Sequence, residues 1–287
     1  MTTSSRPLLV ACAVSSLVSS LVAACGEPAP QAITIPFAGV VNGAPFACGE
    51  RFDGVGTSGA SVTAADFRLY VHNVVVVDED GNDVVVTLDT DDFQARGVAL
   101  LDFEDGTGAC DTGSPLLHTS ITGTIPGDVD LAGVGGVRFT LGVPNALNHL
   151  DAVNTDAPLN IPSLWWTWAS GYKYITTELL VGADEDAAYF HLGSTTCKGP
   201  PEEAVYSCAY DNLTDVGLVW TDGKTIDVDL GAIFASVDLE GELAEGDMMR
   251  GCMSFSGDPE CVGMFASVGM TYEENGGSPT QTVFAVR

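Results

Sequence analysis

Residues 67–77 read FRLYVHNVVVV, and residues 83–89 read DVVVTLD. Both segments are rich in β-branched and aromatic side chains, which favour the extended backbone of a strand. The connection between them is DEDGN, and its Asp-Gly pair and Asn suit a tight turn between antiparallel strands. The two segments therefore predict a β-hairpin.

Similar apolar segments recur along the chain, and Gly, Asp, Asn and Pro separate them, as is typical of short strands. The further predicted strands are 32–41, 97–103, 116–124, 136–142, 172–181, 187–192, 216–220 and 225–230, and one short helix is predicted at 231–237. This pattern predicts an all-β fold, an antiparallel β-sandwich or barrel-like single domain with long loops.

The N-terminus predicts export. Arg6 precedes an uncharged, largely apolar run, which is typical of a signal peptide rather than of a membrane span. The Ala-Ala-Cys that ends at Cys25 resembles a bacterial lipobox, which implies cleavage before Cys25 and a lipid on its sulfur. A plain signal peptide is the alternative. The predicted organisation is a signal peptide at 1–24, a lipidated tether at 25–31 and a β domain at 32–287. The domain would lie in the periplasm or at the outer membrane, anchored by its lipid alone.

Eight cysteines are present, and six remain once the signal peptide and the lipidated Cys25 are set aside. An even number in an exported chain predicts three disulfides. Local spacing favours two pairs, Cys197–Cys208 and Cys252–Cys261, which leaves Cys48–Cys110. A thiolate metal site is the alternative, but the chain has no C-x-x-C spacing to favour it.

The charge is strongly negative, with 39 acidic and 10 basic residues and a formal net charge of −29. Such a surface repels the phosphates of nucleic acids, so no nucleic-acid partner is expected. The chain also lacks G-x-S-x-G, H-E-x-x-H and Walker A motifs. Nothing in the sequence calls for an enzyme, and we expect a binding protein.

Histidines offer the best candidate ligands. His149 lies in the longest irregular stretch, 144–163, and long loops in compact domains are often functional. His191 ends a predicted strand shortly before Cys197, and His72 lies within one, so each is a candidate for a transition metal. His118 is expected to be a packed residue. The acidic turn at 78–83 resembles the start of a calcium loop, but Asp89 stands where an EF-hand needs glutamate.

The densest aromatic segment is LWWTWASGYKY at 164–174. If it is extended, one face carries Trp166, Trp168, Tyr172 and Tyr174, and Trp165 points the other way. Such a face suits core packing or a carbohydrate-binding or adhesion module, in which aromatic rings stack on sugars.

Several short blocks occur together in a fixed order: FRLYVHNV at 67–74, VALLDF at 98–103, LGVP at 141–144, LNH at 147–149, PLN at 158–160, WTW at 166–168, GYKY at 171–174, HLGS at 191–194 and CMS at 252–254. Together they resemble the MbnP-like family, also described as the four-Cys member of the metallo-mystery pair. The resemblance covers nearly the whole mature chain. The family usually has Met where Leu164 stands and Gln where Ala169 stands.

The resemblance implies a copper-binding protein of the periplasm or cell surface, whose partner is a MauG-like dihaem peroxidase. In such families the partner oxidises a tryptophan to kynurenine, and the aromatic amine of kynurenine joins histidines around copper. Carried over by position, the implied ligands are His149 and His191 first and His72 third. Either Trp166 or Trp168 is the oxidised residue.

Overall fold

A computed structural model describes residues 28–111, 113–167, 169–183, 186–200, 206–243, 249–273 and 279–287. The predicted signal peptide, the lipidation site Cys25 and Trp168 lie outside these residues. In the part of the chain that is described, no helix is both long and apolar enough to cross a membrane.

Twenty strands and three short α-helices make up the described elements. The strands are β1 (Gln31–Val41), β2 (Ala44–Pro45), β3 (Arg51–Val55), β4 (Ala60–Val77), β5 (Asp83–Val85), β6 (Thr87–Leu88), β7 (Gln94–Ala95), β8 (Val98–Asp102), β9 (Ser120–Ile125), β10 (Gly136–Leu141), β11 (Trp165–Thr167), β12 (Gly171–Tyr172), β13 (Ile175–Val181), β14 (Asp186–Leu192), β15 (Thr195–Lys198), β16 (Ser207–Tyr210), β17 (Thr214–Val219), β18 (Ile226–Asp229), β19 (Arg250–Cys252) and β20 (Phe284–Val286). The helices are α1 (Asn145–Asn148), α2 (Leu230–Ile233) and α3 (Glu260–Ser267), and two 3₁₀ turns cover Leu131–Gly133 and Pro162–Leu164.

Two sheets dominate the fold. The larger has ten strands and runs β17-β10-β4-β13-β14-β19, with β3, β5 and β8 also paired to β4 and with β7 paired to β8. The long strand β4 is its centre, since β13 and β10 follow one another along one edge and β3, β8 and β5 along the other. The smaller sheet runs β20-β18-β1-β9-β6, with β2 paired to β1.

The two sheets face each other across one apolar core. The ring of Phe139 in the larger sheet contacts two rings of the smaller sheet, Phe37 at 5.8 Å and Phe284 at 5.3 Å between centroids. Buried aliphatic side chains of both sheets, such as Ile35 and Val137, belong to the same cluster. The predicted all-β sandwich is confirmed, whereas the described strands do not close into a barrel.

The predicted hairpin forms, but its second strand is divided. Val77 pairs with Asp83 across the turn, and β5 continues the larger sheet beside β4. After Val86 the chain crosses to the smaller sheet, where β6 pairs with β9. The Val-rich run thus joins the two layers. The pairing is also not wholly antiparallel, because β1–β18 and β14–β19 are parallel.

All three predicted disulfides are present: Cys48–Cys110, Cys197–Cys208 and Cys252–Cys261. The Cys197–Cys208 bond joins facing residues of the two-stranded sheet β15–β16. The Cys252–Cys261 bond ties the end of β19 to the start of α3, a helix that the sequence analysis did not predict.

Candidate metal centre

Asn148 holds the long 144–163 loop against the aromatic segment. Its side chain is fully buried; Nδ2 donates to Ser194 Oγ at 2.7 Å, and Oδ1 accepts from the Tyr172 backbone N–H at 2.9 Å. Gly171 has a φ of +74°, and a Cβ at that position would lie 2.4 Å from Asn148 Oδ1. The loop, the aromatic segment and the residues after β14 therefore meet at one buried amide.

The aromatic segment is not one extended face, so that prediction is wrong. The chain turns back after Thr167, and Trp165 in β11 pairs with Tyr172 in β12. Directly paired residues of antiparallel strands share a face, so Trp165 lies on the same side as Tyr172 rather than opposite it. Trp165 packs against the hydrophobic core, and Tyr172 and Tyr174 are buried in it.

Trp166 is half-buried and lines a cavity of about 300 Å³. Its ring covers the backbone at Gly193, where an added Cβ would lie 2.5 Å from Trp166 Cζ3. The cavity wall also includes Ser170, Ser194, Cys197, Met253 and Ser254.

The two residues singled out by the resemblance lie in different places. Ala169 lines the cavity. Leu164 is instead buried in the core. Of the two, only Ala169 belongs to the wall of the cavity.

His191 presents an unsatisfied nitrogen. It lies near the end of β14, two residues before Gly193, which the Trp166 ring covers. Its side chain is buried. Its Nδ1 has no hydrogen-bond partner among the described residues. Burial, with smaller contributions from Lys173 and Arg68, lowers the pKa of His191 to about 3. The ring is therefore neutral at ordinary pH, which is the form of imidazole that binds metals.

Ser254 fixes the backbone around His191. Its Oγ donates to the His191 carbonyl at 2.9 Å and accepts from the Gly193 N–H at 3.3 Å. Ser254 lies two residues after Cys252, which ends β19 and is bonded to Cys261. The cysteine expected to steady His191 was Cys197, whereas the hydrogen bond to the His191 carbonyl comes from the CMS block at 252–254.

His149 lies beside the other disulfide. It follows α1 directly, and its Nε2 is 3.5 Å from Cys208 Sγ. The ring of Tyr206 stacks on the imidazole, with 4.4 Å between centroids and 16° between planes. Cys197, the disulfide partner of Cys208, lines the Trp166 cavity, so a single disulfide connects that cavity to His149.

His72 lies elsewhere on the larger sheet. Its Nδ1 is 2.8 Å from the Gly142 carbonyl oxygen. His191 pairs with Thr176, and Thr176 pairs with Arg68, which is four residues before His72 on β4. Strand geometry then separates His72 from His191 by about 13 Å along the strands and about 10 Å across them. The structure therefore does not bring the three histidines into one ligand cluster; the only described groups of three close donors lie around the disulfides.

The remaining sequence candidates have structural roles. His118 stacks on Phe93 at 4.7 Å, and its Nδ1 lies 2.6 Å from the Leu100 carbonyl oxygen, as expected for a packed residue. In the acidic turn, Asp78 Oδ1 accepts from the backbone N–H groups of Asp80 and Asn82. These bonds hold a hairpin turn, and no group of three close ligands is found there among the described residues.

A buried charged cluster lies next to the His191 row of the sheet. Arg68 donates two hydrogen bonds to Asp66 at 2.6 and 3.0 Å, and its Nε is 3.2 Å from Glu104 Oε1. Burial raises the pKa of Glu104 to about 10 and that of Asp102 to about 6. Burial, together with the neighbouring Asp66 carboxyl group, therefore keeps Glu104 protonated at neutral pH.

Comparison with known proteins agrees with the resemblance. The sequence profile of the MbnP family matches residues 30–254. The solved structure of MbnP from Methylosinus trichosporium is similar with a TM-score of 0.78 and 26% identity, over 90% of this chain and 98% of that chain. Among curated proteins, no sequence matches significantly. The matched range includes Asn148, His149, Trp166, His191 and Ser254.

Proposed function

Since the chain belongs to the MbnP family, we propose that it binds copper through His149, His191 and a tryptophan that has been oxidised to kynurenine. The observation that carries this proposal is the buried Nδ1 of His191, which has no hydrogen-bond partner among the described residues. Burying a polar nitrogen without a partner is costly, and coordination to a metal would offset that cost.

The donor set fits copper. Imidazole nitrogens suit copper, and burial keeps His191 neutral. An intact indole has only an N–H donor and offers no lone pair to a metal. Kynurenine carries a free aromatic amine, so oxidation supplies the additional nitrogen that the unmodified chain lacks.

Trp166 lies where an amine formed by its oxidation would be close to the strand end that carries His191. Its ring lines a cavity and covers Gly193, next to the strand end that carries His191. We propose Trp166 or its near neighbour Trp168 as the oxidised residue, with a MauG-like dihaem peroxidase as the oxidising partner.

The chain itself would bind copper without catalysing a reaction. It would be exported and attached to the membrane by a lipid on Cys25, in the periplasm or at the outer membrane. Mature protein from envelope fractions should then begin at a lipidated cysteine, which intact-mass spectrometry can detect.

The test is to purify the chain after co-expression with its dihaem partner, and to measure copper content and the mass of the 164–174 peptide. One tryptophan should show the net gain of an oxygen atom and the loss of a carbon atom. An unmodified peptide in protein that binds copper tightly would overturn the kynurenine assignment.

Three matched variants test the ligands. His149→Gln and His191→Gln should each lose copper, whereas His72→Gln should retain it because His72 lies apart from His191 on the sheet. Retention of copper by both of the first two variants would overturn the ligand assignment.

A further inference from the structure

The Cys197–Cys208 disulfide differs from the other two because both of its cysteines are half-buried and it lies against His149. We propose that reduction of this disulfide creates a second metal site, in which His149 and the two thiolates bind Cu(I). This site requires neither the oxidised tryptophan nor a haem partner, so it does not depend on the function proposed above.

The donors are already close to a coordinating arrangement. One ligand atom each from His149, Cys197 and Cys208 lie within 4.8 Å of one another, and His149 Nε2 is 3.5 Å from Cys208 Sγ. Metal–nitrogen and metal–sulfur bonds of about 2.0 and 2.3 Å place such donors about 3.5–4 Å apart around one ion. The sulfur–sulfur bond has to open, and the two sulfur atoms then have to move apart to that spacing.

The surrounding structure would hold the donors after reduction. Cys197 and Cys208 are directly paired on β15 and β16, and this pairing is flanked by the Thr195–Tyr210 and Lys198–Ser207 pairs. We expect these backbone interactions to keep the two cysteines facing each other after reduction.

His149 is held separately from the two strands. Tyr206 stacks on its ring, and α1 ends immediately before it. The imidazole would therefore remain beside the two thiols once the disulfide opened.

Solvent access distinguishes the Cys197–Cys208 disulfide from the Cys252–Cys261 disulfide, which also has a potential ligand beside it. Donor atoms of Cys252, Cys261 and Asp258 also lie within 4.8 Å of one another. Both of these cysteines are fully buried, however, whereas Cys197 lines an open cavity. A thiolate must reach a sulfur atom to exchange with a disulfide, so a dithiol should reduce Cys197–Cys208 first.

The chemistry balances with a dithiol as reductant. The dithiol attacks the disulfide and becomes a cyclic disulfide, and its two electrons and two protons pass to Cys197 and Cys208. Binding of Cu(I) then releases both thiol protons and forms two copper–sulfur bonds and one copper–nitrogen bond. Two thiolates and an imidazole favour a soft cation over Mg²⁺ or Ca²⁺.

The experiment uses the full chain, purified without the dihaem partner. Limited treatment with dithiothreitol, followed by alkylation and peptide mapping, should label Cys197 and Cys208 before Cys252 and Cys261. After anaerobic removal of the reductant, Cu(I) is titrated in competition with the chromophoric chelator bicinchoninate. Reduced protein should take copper from the chelator and show thiolate-to-copper absorption, and oxidised protein should do neither.

Two variants separate the contributions of the two thiolates and of the imidazole to Cu(I) binding. Cys197→Ser/Cys208→Ser should abolish the competition, and His149→Gln should weaken Cu(I) binding about tenfold or more, since the loss of a ligand should cost at least as much as the loss of a supporting residue. If the double variant does not fold, reduced protein alkylated at both cysteines replaces it.

Equal competition by reduced and oxidised protein would overturn the proposal, and so would first labelling at Cys252 and Cys261. Undiminished binding by His149→Gln would remove His149 from the site. Because the protein used here has no oxidised tryptophan, these outcomes are independent of the function proposed above.

Discussion

The Cys197–Cys208 and Cys252–Cys261 regions contain similar groups in opposite environments. Each disulfide has a further potential ligand beside it, His149 in one case and Asp258 in the other. The first disulfide is half-buried beside a cavity, whereas the second is fully buried. The second instead stabilises a backbone turn, since Ser254 follows it and holds the strand end at His191. Access, more than the identity of the donors, therefore separates the reactive region from the supporting one.

The largest expected effect comes from removing each disulfide. The sequence separations are 11 and 9 residues, so chain entropy predicts a loss of about 3 kcal/mol for either one. Cys252→Ala/Cys261→Ala should cost about 1 kcal/mol more than Cys197→Ala/Cys208→Ala, because it also removes buried sulfur atoms from the core. Urea unfolding of the two double variants, without reductant, measures the difference between their free energies of unfolding. Equal losses would mean that burial does not distinguish the two regions.

A smaller effect is expected from replacing Gly171, which lies against Asn148, with Gly182 in the β13–β14 turn as the control. Gly171 and Gly182 both have positive φ, but an added Cβ meets the Asn148 amide at 171 and nothing within 4 Å at 182. Gly182→Ala should cost about 1 kcal/mol from backbone strain alone. Gly171→Ala should cost about 2 kcal/mol more, because Asn148 must give up buried hydrogen bonds.

Thermal or urea unfolding of the two glycine variants gives the comparison. If Gly171→Ala is no more damaging than Gly182→Ala, Asn148 does not hold the loop as described. Copper binding by protein with an oxidised tryptophan should weaken only in Gly171→Ala, because His149 directly follows Asn148.

The last effect is spread over several pH units, at most about 1.4 kcal/mol in each, and concerns the buried charges around Arg68. The pKa of Glu104 is raised from 4.5 to about 10 by burial and by Asp66. A carboxyl group that is protonated in the folded state stabilises the protein most fully below its ordinary pKa, and this contribution is lost as pH rises toward the folded-state pKa. Stability should therefore fall with rising pH, with a slope of up to about 1.4 kcal/mol per pH unit from this one proton.

Glu104→Gln should flatten that dependence, since glutamine keeps the shape of the side chain without an ionisable proton. Urea unfolding from about pH 6 to about pH 9 covers the relevant range. The exposed Glu240→Gln is the control and should leave the slope unchanged. A steep slope that persists in Glu104→Gln would place the retained proton on another group.

Sequence patterns predicted most of the fold because strand composition is a local property. The 32–41 segment corresponds closely to β1 (Gln31–Val41), and cysteine spacing indicated the disulfides. Helix α3 was missed although Cys261, Met264 and Phe265 are buried at helical spacing. Its Gly263 and the β-branched Val262 weakened that pattern.

The site was harder to predict because it depends on contacts between distant parts of the chain. The local alternation of residues placed Trp165 on the wrong face, since it carried no sign that the chain reverses between β11 and β12. His72 and His191 had equally plausible local sequences, and only the register of β4, β13 and β14 separates them. The contact of His149 with Cys208 likewise requires two loops to meet.

X-ray absorption at the copper edge tests the central claim most directly, on copper-loaded protein that has been co-expressed with its dihaem partner and kept oxidised. The expected spectrum shows copper bound by nitrogen or oxygen, with the scattering pattern of imidazole and no sulfur. That pattern should weaken in His149→Gln and His191→Gln and stay unchanged in His72→Gln. A spectrum without imidazole, or one that neither of the first two variants alters, would contradict copper binding by these two histidines.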